Sequence, residues 1–161
     1  MLTKTEKVVK IERDESTQLA DNLIREYKKT RWVSNSERLG KPDSLSAWFS
    51  IKEMEDFIKV AKENGSDGIK FYYGSYPETF EEMPIYAGRQ TLVPVASRSR
   101  NSQTGGLLNK DIYIIKQGKA KLLSITGPRL CPPICPLGNE GGMGDLGITI
   151  VDRGEKGMEV I

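Results

Sequence analysis

The sequence contains no histidine, and this absence removes several kinds of active site. No serine or cysteine can be paired with an imidazole base, and no helix can hold zinc through two histidines. Proton transfer near pH 7 would have to use a carboxylate, lysine, tyrosine or cysteine with a shifted pKa. We therefore expect binding rather than catalysis, and no cofactor.

Long apolar runs are also missing, because none approaches the roughly 20 residues that a membrane-spanning helix needs. The first residues are charged and show no apolar segment followed by a cleavage site, so we expect no secretion signal. A cytoplasmic protein without membrane contact is the prediction. We interpret residues 1–161 as a single domain, in which residues 1–12 form an N-terminal arm or a strand.

Charge is distributed unevenly along the chain, although the formal net charge is only +2. Segment 51–82 contains four basic and eight acidic residues, whereas segment 89–129 contains eight basic residues and one acid, Asp111. If the two segments lie apart, the protein has two faces of opposite sign. If they are neighbours in the fold, they partly neutralise each other, and the sequence leaves both alternatives open.

Hydrophobic spacing predicts a first helix that begins after Asp14 or Ser16. Residues 28–47 are predicted to be polar and irregular, with breakers at Gly40 and Pro42. Within them, Trp32 either anchors the segment to the core or, together with the basic residues around it, stacks a nucleic-acid base. The helical face that we expect to contact the core carries Leu19, Ala20, Leu23, Ile24 and Tyr27.

A second helix has the clearest start signal in the chain. Ser50-Ile-Lys-Glu53 is a capping box, in which the serine accepts an early helical N–H and the glutamate reaches back to the cap. Asn64-Gly65 ends the helix, because glycine readily takes the left-handed conformation. We expect Phe57 and Ile58 of this helix to be buried against the strand that follows it.

The later part of the chain is rich in strand-forming residues. Pro94 lacks an N–H donor and therefore predicts an edge strand or a bulge. Because helices come first and strands follow, we predict an α+β fold with two helices packed on a largely antiparallel sheet of about four to six strands. The predicted strands and connections are Ile69–Tyr73, Gln90–Ala96, a polar loop at 97–106, a hairpin at 111–125 that turns at Gln117-Gly118, and Gly147–Asp152.

The two cysteines, Cys131 and Cys135, are separated by Pro-Pro-Ile. If this segment were extended at roughly 3.1 Å per residue, their α-carbons would lie about 12 Å apart. A disulfide needs less than roughly 7 Å, so a bridge requires a turn. Without imidazole ligands, zinc would need carboxylates or a second chain. We predict two reduced thiols without metal; a catalytic or redox cysteine, a shared metal and a disulfide remain alternatives.

Two groups of residues are candidates for ligand binding. Arg89, Arg98 and Arg100 flank one predicted strand in a stretch without acids, and guanidinium groups suit phosphate or carboxylate. Tyr73 and Tyr76 lie at a strand end, where exposed tyrosines favour interfaces. Since side chains alternate along a strand, Tyr73 and its neighbour Tyr72 are expected on opposite faces, one of them in the core.

Four segments together resemble a group of small uncharacterised bacterial proteins that share a domain of unknown function. The resemblance covers residues 47–136 and implies that these segments belong to one domain type, without implying any catalytic residue. The segments are Trp48-Phe-Ser50, Asp67-Gly-Ile-Lys-Phe-Tyr-Tyr-Gly74, Arg89-Gln-Thr-Leu-Val-Pro-Val95 and Cys131-Pro-Pro-Ile-Cys135.

The sequence thus predicts a non-catalytic binding module that contacts a protein partner or associates with itself. One alternative is a small redox protein or enzyme that uses a cysteine. The other is a protein that binds nucleic acid or another anion through the basic segment 89–129.

Overall fold

The computed structural model describes residues 15–134, 150–152 and 158–160, with side chains described from residue 18 to residue 134. The predicted arm at 1–12 and the start of the predicted strand at 147–149 lie outside these residues. The described chain combines helices with antiparallel strands, which confirms the predicted α+β class.

The N-terminal helical segment is longer than predicted. It comprises α1 (Glu15–Tyr27), one π-turn (Lys28–Trp32) and α2 (Val33–Leu39). Gly40 ends the segment in the left-handed conformation, with φ 66°. The prediction of an irregular chain from residue 28 is therefore wrong as far as residue 39. Residues 15–39 contain no glycine or proline, and polar residues of the other types are compatible with a helix. The polar composition was therefore not evidence of an irregular chain.

The apolar stripe of α1 is not buried as a whole. Leu19 and Leu23 are 58% and 62% exposed, whereas Asp21 is buried and accepts a hydrogen bond from Arg25 at 2.9 Å. The covered side of the helix is thus the side that carries Asp21. Periodicity identifies an apolar stripe, but only the tertiary structure decides what lies against it.

The predicted capping box is present at the start of α3 (Ile51–Glu63). The Glu53 N–H donates to Ser50 Oγ at 3.1 Å, and the Ser50 N–H donates to Glu53 Oε2 at 2.8 Å. Phe57 is buried as predicted, in a core cluster with Ala61. Ile58 is 37% exposed, so the prediction for this residue is wrong. Ile58 lies about 100° from Phe57 around the helix, which turns its side chain from the centre of the buried face toward solvent.

Nine strands are described, and every ladder is antiparallel. The ladders are β1–β7, β2–β3–β4, β5–β6 and β8–β9. An isolated bridge between Val95 and Ser124, and the Ala96 N–H donated to Leu123 O at 2.9 Å, connect β3 to the chain after β6. The strands are β1 (Ser46–Trp48), β2 (Gly68–Ser75), β3 (Gln90–Asn101), β4 (Leu107–Asp111), β5 (Tyr113–Lys116), β6 (Lys119–Leu122), β7 (Arg129–Cys131), β8 (Ile150–Asp152) and β9 (Met158–Val160).

Strand β3 differs from its prediction in length and position. It continues through the first half of the expected loop at 97–106, and it is the central strand of its sheet, so Pro94 does not mark an edge. The Pro94 carbonyl accepts the Ile125 N–H at 3.1 Å, which directs the backbone of this residue away from β2. Strand β4 pairs with β3 only from Ser97 onward, so the N–H that Pro94 lacks is not needed in the β3–β4 ladder.

The predicted turn at Gln117-Gly118 is confirmed, with φ 50° and 72°.

A buried carboxylate, Asp43, connects the helical segment to the sheet. Its backbone N–H donates to Ser36 Oγ at 2.9 Å, and its carbonyl accepts the indole N–H of Trp32 at 2.8 Å. Its Oδ1 accepts the backbone N–H groups of Ser44 at 2.8 Å and of Gln90 at 2.7 Å. Trp32 is therefore an anchor of this segment, in agreement with the first of the two roles considered for it.

Replacing Phe57 tests the core. We expect Phe57→Ala to lower the free energy of unfolding by about 3–5 kcal/mol, because it leaves a cavity in the cluster. The control is Ile58→Ala on the same helix, which should cost clearly less because this side chain is partly exposed. Urea unfolding of both variants measures the difference, and equal losses would contradict the packing described.

Replacing Asp43 tests its role as a hydrogen-bond acceptor. Asp43→Ala leaves two backbone N–H groups without an acceptor, and each should cost about 1–3 kcal/mol of unfolding free energy. Asp43→Asn keeps an Oδ1 acceptor, so we expect a smaller loss. If both variants were equally destabilised in urea, the acceptor geometry would not be the basis of the effect.

Candidate binding site

Four aromatic side chains line a surface cleft with a volume of about 470 Å³. They come from two distant parts of the sequence: Trp48 ends β1, and Tyr76, Phe80 and Tyr86 belong to the loop between β2 and β3. The volume lies within the range of roughly 300–1,000 Å³ that is typical of ligand sites. We call this site the aromatic cleft.

The loop at 76–88 forms one side of the aromatic cleft and is fixed by its own hydrogen bonds. The Tyr76 N–H donates to Arg89 O at 3.0 Å, which extends the β2–β3 pairing to the base of the loop. The ring of Tyr76 packs against Phe80 at 4.7 Å and against Tyr86 at 5.4 Å between centroids. The Leu130 N–H donates to the Tyr86 hydroxyl at 3.1 Å, so the loop is tied to β7.

The β1–β7 ladder provides the other side of the aromatic cleft. Trp48 pairs with Arg129 in the ladder, and the guanidinium carbon of Arg129 lies 4.9 Å from the centroid of the Trp48 ring. This cation–π contact orients the indole although 54% of Trp48 remains exposed. Ile134, in the turn after β7, adds a partly exposed aliphatic side chain.

Two carboxylates, Glu53 and Glu82, also line the aromatic cleft. Hydrogen bonds from Ser50 lower the pKa of Glu53, so this group is ionised at neutral pH. Burial raises the pKa of Tyr76, which keeps its hydroxyl protonated. The aromatic cleft therefore offers apolar rings beside negative charge.

Tyr73 lies away from the aromatic cleft, at the edge of a second groove of about 270 Å³. This groove is mainly apolar and includes Leu23 and Tyr27 of α1 and Leu92 of β3. Tyr73 is 83% exposed and Tyr72 is 44% exposed, so the expectation that one of them is a core residue is wrong. The structure thus separates Tyr73 from Tyr76, which the sequence had grouped.

Arg89 is not available to a ligand, in contrast to the prediction. Only 6% of it is exposed, and its Nε donates to Ile85 O at 2.8 Å, four residues earlier. Burial lowers the pKa of its guanidinium group, while the nearby Asp43 opposes this shift. The side chain folds back onto the short 3₁₀ turn at Pro84–Tyr86 because that turn places the Ile85 carbonyl within reach.

Arg98 and Arg100 are exposed and line a pocket of about 250 Å³, together with Lys110 of β4. The single carboxylate in this lining, Asp111, is already engaged. Its Oδ1 accepts a hydrogen bond from Lys70 Nζ at 2.7 Å, and its Oδ2 accepts one from the Tyr72 hydroxyl at 2.7 Å. These hydrogen bonds lower the pKa of Asp111, and the same contact raises the pKa of Lys70.

Cys131 is buried and disulfide-bonded, so the prediction of a reduced thiol at this position is wrong. A bridge required a turn, and the chain provides one, since the Ile134 N–H donates to Leu130 O at 2.8 Å. Both peptide bonds that precede the prolines of the turn are cis. The extended geometry assumed for this segment does not apply. Cys135, the other cysteine of the sequence, lies outside the described residues.

Within the described ranges, no three Asp, Glu or Cys side chains come close enough to hold a metal ion. No helix in this part of the chain combines the length and the hydropathy required to cross a bilayer.

Comparisons with known proteins yield no match to a family model, to a curated protein or to a solved structure. The resemblance to a group of small bacterial proteins therefore stays a prediction from the sequence. Function has to be argued from the sites themselves.

Replacing Asp111 tests the Lys70–Asp111–Tyr72 contact through its pH dependence. Because the pKa of Asp111 is below its ordinary value of 3.8, its stabilisation is present at neutral pH and is lost as the pH falls through the lowered pKa. We expect Asp111→Asn to unfold at lower urea concentration than the unmodified protein at pH 7, and the gap to close in strongly acidic buffer. Glu55→Gln, on an exposed face of α3, is the control. A gap that persisted in acid would contradict this assignment.

Proposed function

We propose that this protein is a non-catalytic interaction module whose aromatic cleft binds a peptide segment of a protein partner. The observation that carries the proposal is the grouping of Trp48, Tyr76, Phe80 and Tyr86 around one open cleft. Aromatic side chains offer large contact areas and lose little conformational entropy on binding, which is why they are enriched at interfaces.

The rings of the aromatic cleft favour an apolar anchor side chain, such as proline or leucine. Tyr86 is held by its bond to Leu130, and Trp48 is held by Arg129. Rings held in this way do not have to be ordered when a ligand arrives, so less of the binding energy is lost. The partly exposed Met83 and Ile134 extend the apolar contact area beside the rings.

The charges around the aromatic cleft favour a basic residue next to that anchor. Glu82 and Glu53 line the cleft, and Glu81 lies next to Glu82 on the exposed side of the loop. Arg129 already occupies one face of Trp48, so an incoming lysine or arginine is directed toward the carboxylates instead. The ligand that fits best is therefore a peptide with an apolar anchor beside a lysine or an arginine.

The chemistry of the aromatic cleft supports binding rather than catalysis. Its described lining contains no serine, threonine, cysteine or lysine that would serve as a nucleophile. The lowered pKa of Glu53 makes it a poor general acid near pH 7, because that role needs a raised pKa. The disulfide at Cys131 likewise argues against an enzyme with a thiolate nucleophile at this position, whereas the redox alternative stays a prediction from the sequence. A bacterial cytoplasmic location and a capacity for self-association stay predictions from the sequence.

Selection of random dodecapeptides displayed on phage against the full chain tests this proposal. We expect enrichment of peptides that carry proline or leucine beside lysine or arginine. In fluorescence titrations with a selected synthetic peptide, Trp48→Ala and Phe80→Ala should each weaken binding about tenfold or more, the usual effect of removing an aromatic hot spot. Glu82→Gln should weaken it less and should reduce its dependence on salt.

The matched control is Tyr73→Ala, which removes an exposed aromatic ring outside the aromatic cleft. It should leave peptide affinity unchanged. Circular dichroism verifies that each variant is folded. The proposal is overturned if no peptide is enriched, or if the selected peptides bind Trp48→Ala and Phe80→Ala as tightly as the unmodified protein.

A further inference from the structure

A second site of opposite charge lies on the β3–β4 hairpin, and the strand register creates it. Arg98 of β3 pairs directly with Lys110 of β4, so both side chains lie on the same face of the sheet. Arg100, two residues further along β3, lies on this face as well. The pocket of about 250 Å³ that these three cations line is completed by Tyr113 and Asn64. We call it the basic pocket.

The positive charge of the basic pocket is not cancelled by the chain around it. Its one lining carboxylate, Asp111, is paired with Lys70 at 2.7 Å. Among the described residues, no carboxylate forms an ion pair with Arg100 or Lys110. Like charges placed opposite each other on a sheet destabilise it, so the juxtaposition of Arg98 and Lys110 is a cost to the fold.

Arg98 is oriented by the end of α3. Its Nε donates to Gly65 O at 2.5 Å, and its Nη2 lies 3.5 Å from Asn64 O. A cation at a helix C-terminus is electrostatically favourable, so Arg98 has a structural role in addition to its charge. Arg100 and Lys110 have no such bond in the described chain, and they supply the free donors of the basic pocket.

An exposed aromatic ring accompanies these cations. Tyr113 is 61% exposed and begins β5, immediately after the Asp111-Ile112 connection from β4. The lysines of the β5–β6 hairpin lie on its other face, because Lys116 is three residues from Tyr113, pairs with Lys119 and shares its face with Lys121. Cations beside an exposed aromatic ring are the combination with which proteins bind single strands of nucleic acid.

We propose that the basic pocket binds single-stranded nucleic acid without sequence preference. Arg100 and Lys110 contact backbone phosphates, Arg98 contributes charge, and a base stacks on Tyr113. This site is independent of the peptide proposed for the aromatic cleft, because the two sites share no lining residue. Double-stranded nucleic acid is a poorer ligand, because its bases are not free to stack on a tyrosine ring.

Fluorescence anisotropy with a labelled dT20 and a labelled U20 oligonucleotide, at several salt concentrations, tests the proposal. Binding should weaken linearly on a log–log plot against salt, as bound counterions are released. The double variant Arg100→Ala/Lys110→Ala should reduce the magnitude of that slope by about 1.4, at about 0.7 per phosphate contact. Tyr113→Ala should weaken binding about fivefold or more and leave the slope unchanged, because stacking carries no charge.

The double variant Lys29→Ala/Arg31→Ala is the matched control, because it removes one lysine and one arginine from an exposed helical surface away from the basic pocket. It should bind as the unmodified protein does. Three results overturn the proposal: no binding even at low salt, equal losses in the two double variants, or a Tyr113→Ala variant that binds with unchanged affinity. Unchanged affinity of Tyr113→Ala would mean that no base stacks on this ring and that the surface attracts any polyanion by charge alone.

Discussion

The structure depends on one buried acceptor, the carboxylate of Asp43, which lies between the helical segment and the start of β3. The backbone of Asp43 fixes the end of the helical segment through Trp32 and Ser36, and its carboxylate fixes the first residue of β3 by accepting the Gln90 N–H. Two residues later, the Leu45 N–H donates to Cys131 O at 2.8 Å, so the same stretch of chain also positions β7 and with it one side of the aromatic cleft. A carboxylate with this many bonds to backbone groups is costly to remove, because each donor left behind is buried without a partner.

Strand β3 then separates the two proposed sites. Its first residues adjoin the loop that carries Tyr76 and Tyr86. Its last residues carry Arg98 and Arg100, which at roughly 3.3 Å per residue lie about 26 and 33 Å from Gln90 along the strand. Lys70 is one of the four basic residues of the mainly acidic segment 51–82, and it forms an ion pair with Asp111, the only acid of the mainly basic segment 89–129. Among the described residues, no ion pair joins an acid of segment 51–82 to a basic residue of segment 89–129, which favours two surfaces of opposite sign over mutual neutralisation.

Several residues that were candidates for binding or catalysis have structural roles. Arg89, just before β3, bonds to the Ile85 carbonyl of the preceding turn, and Trp32 anchors the helical segment through the Asp43 carbonyl. The cysteine segment is proline-rich because it forms a turn beside β7. Of the five predicted ligand-binding residues, Tyr76, Arg98 and Arg100 line a proposed site, Tyr73 lines a separate apolar groove, and Arg89 is buried.

Features that depend on neighbours along the chain could be predicted from the sequence alone. The capping box at Ser50, the turn at Gln117-Gly118 and the burial of Phe57 follow from local hydrogen bonding, backbone preference and periodicity, and all three are present. The contacts between residues of distant segments became known from the three-dimensional structure. The register of β3 against β4 brought Arg98 to Lys110, and the β1–β7 ladder brought Trp48 to the loop that holds Tyr76. Such pairings depend on packing between distant segments and on strand register. Neither can be predicted from the pattern of residue types within one segment.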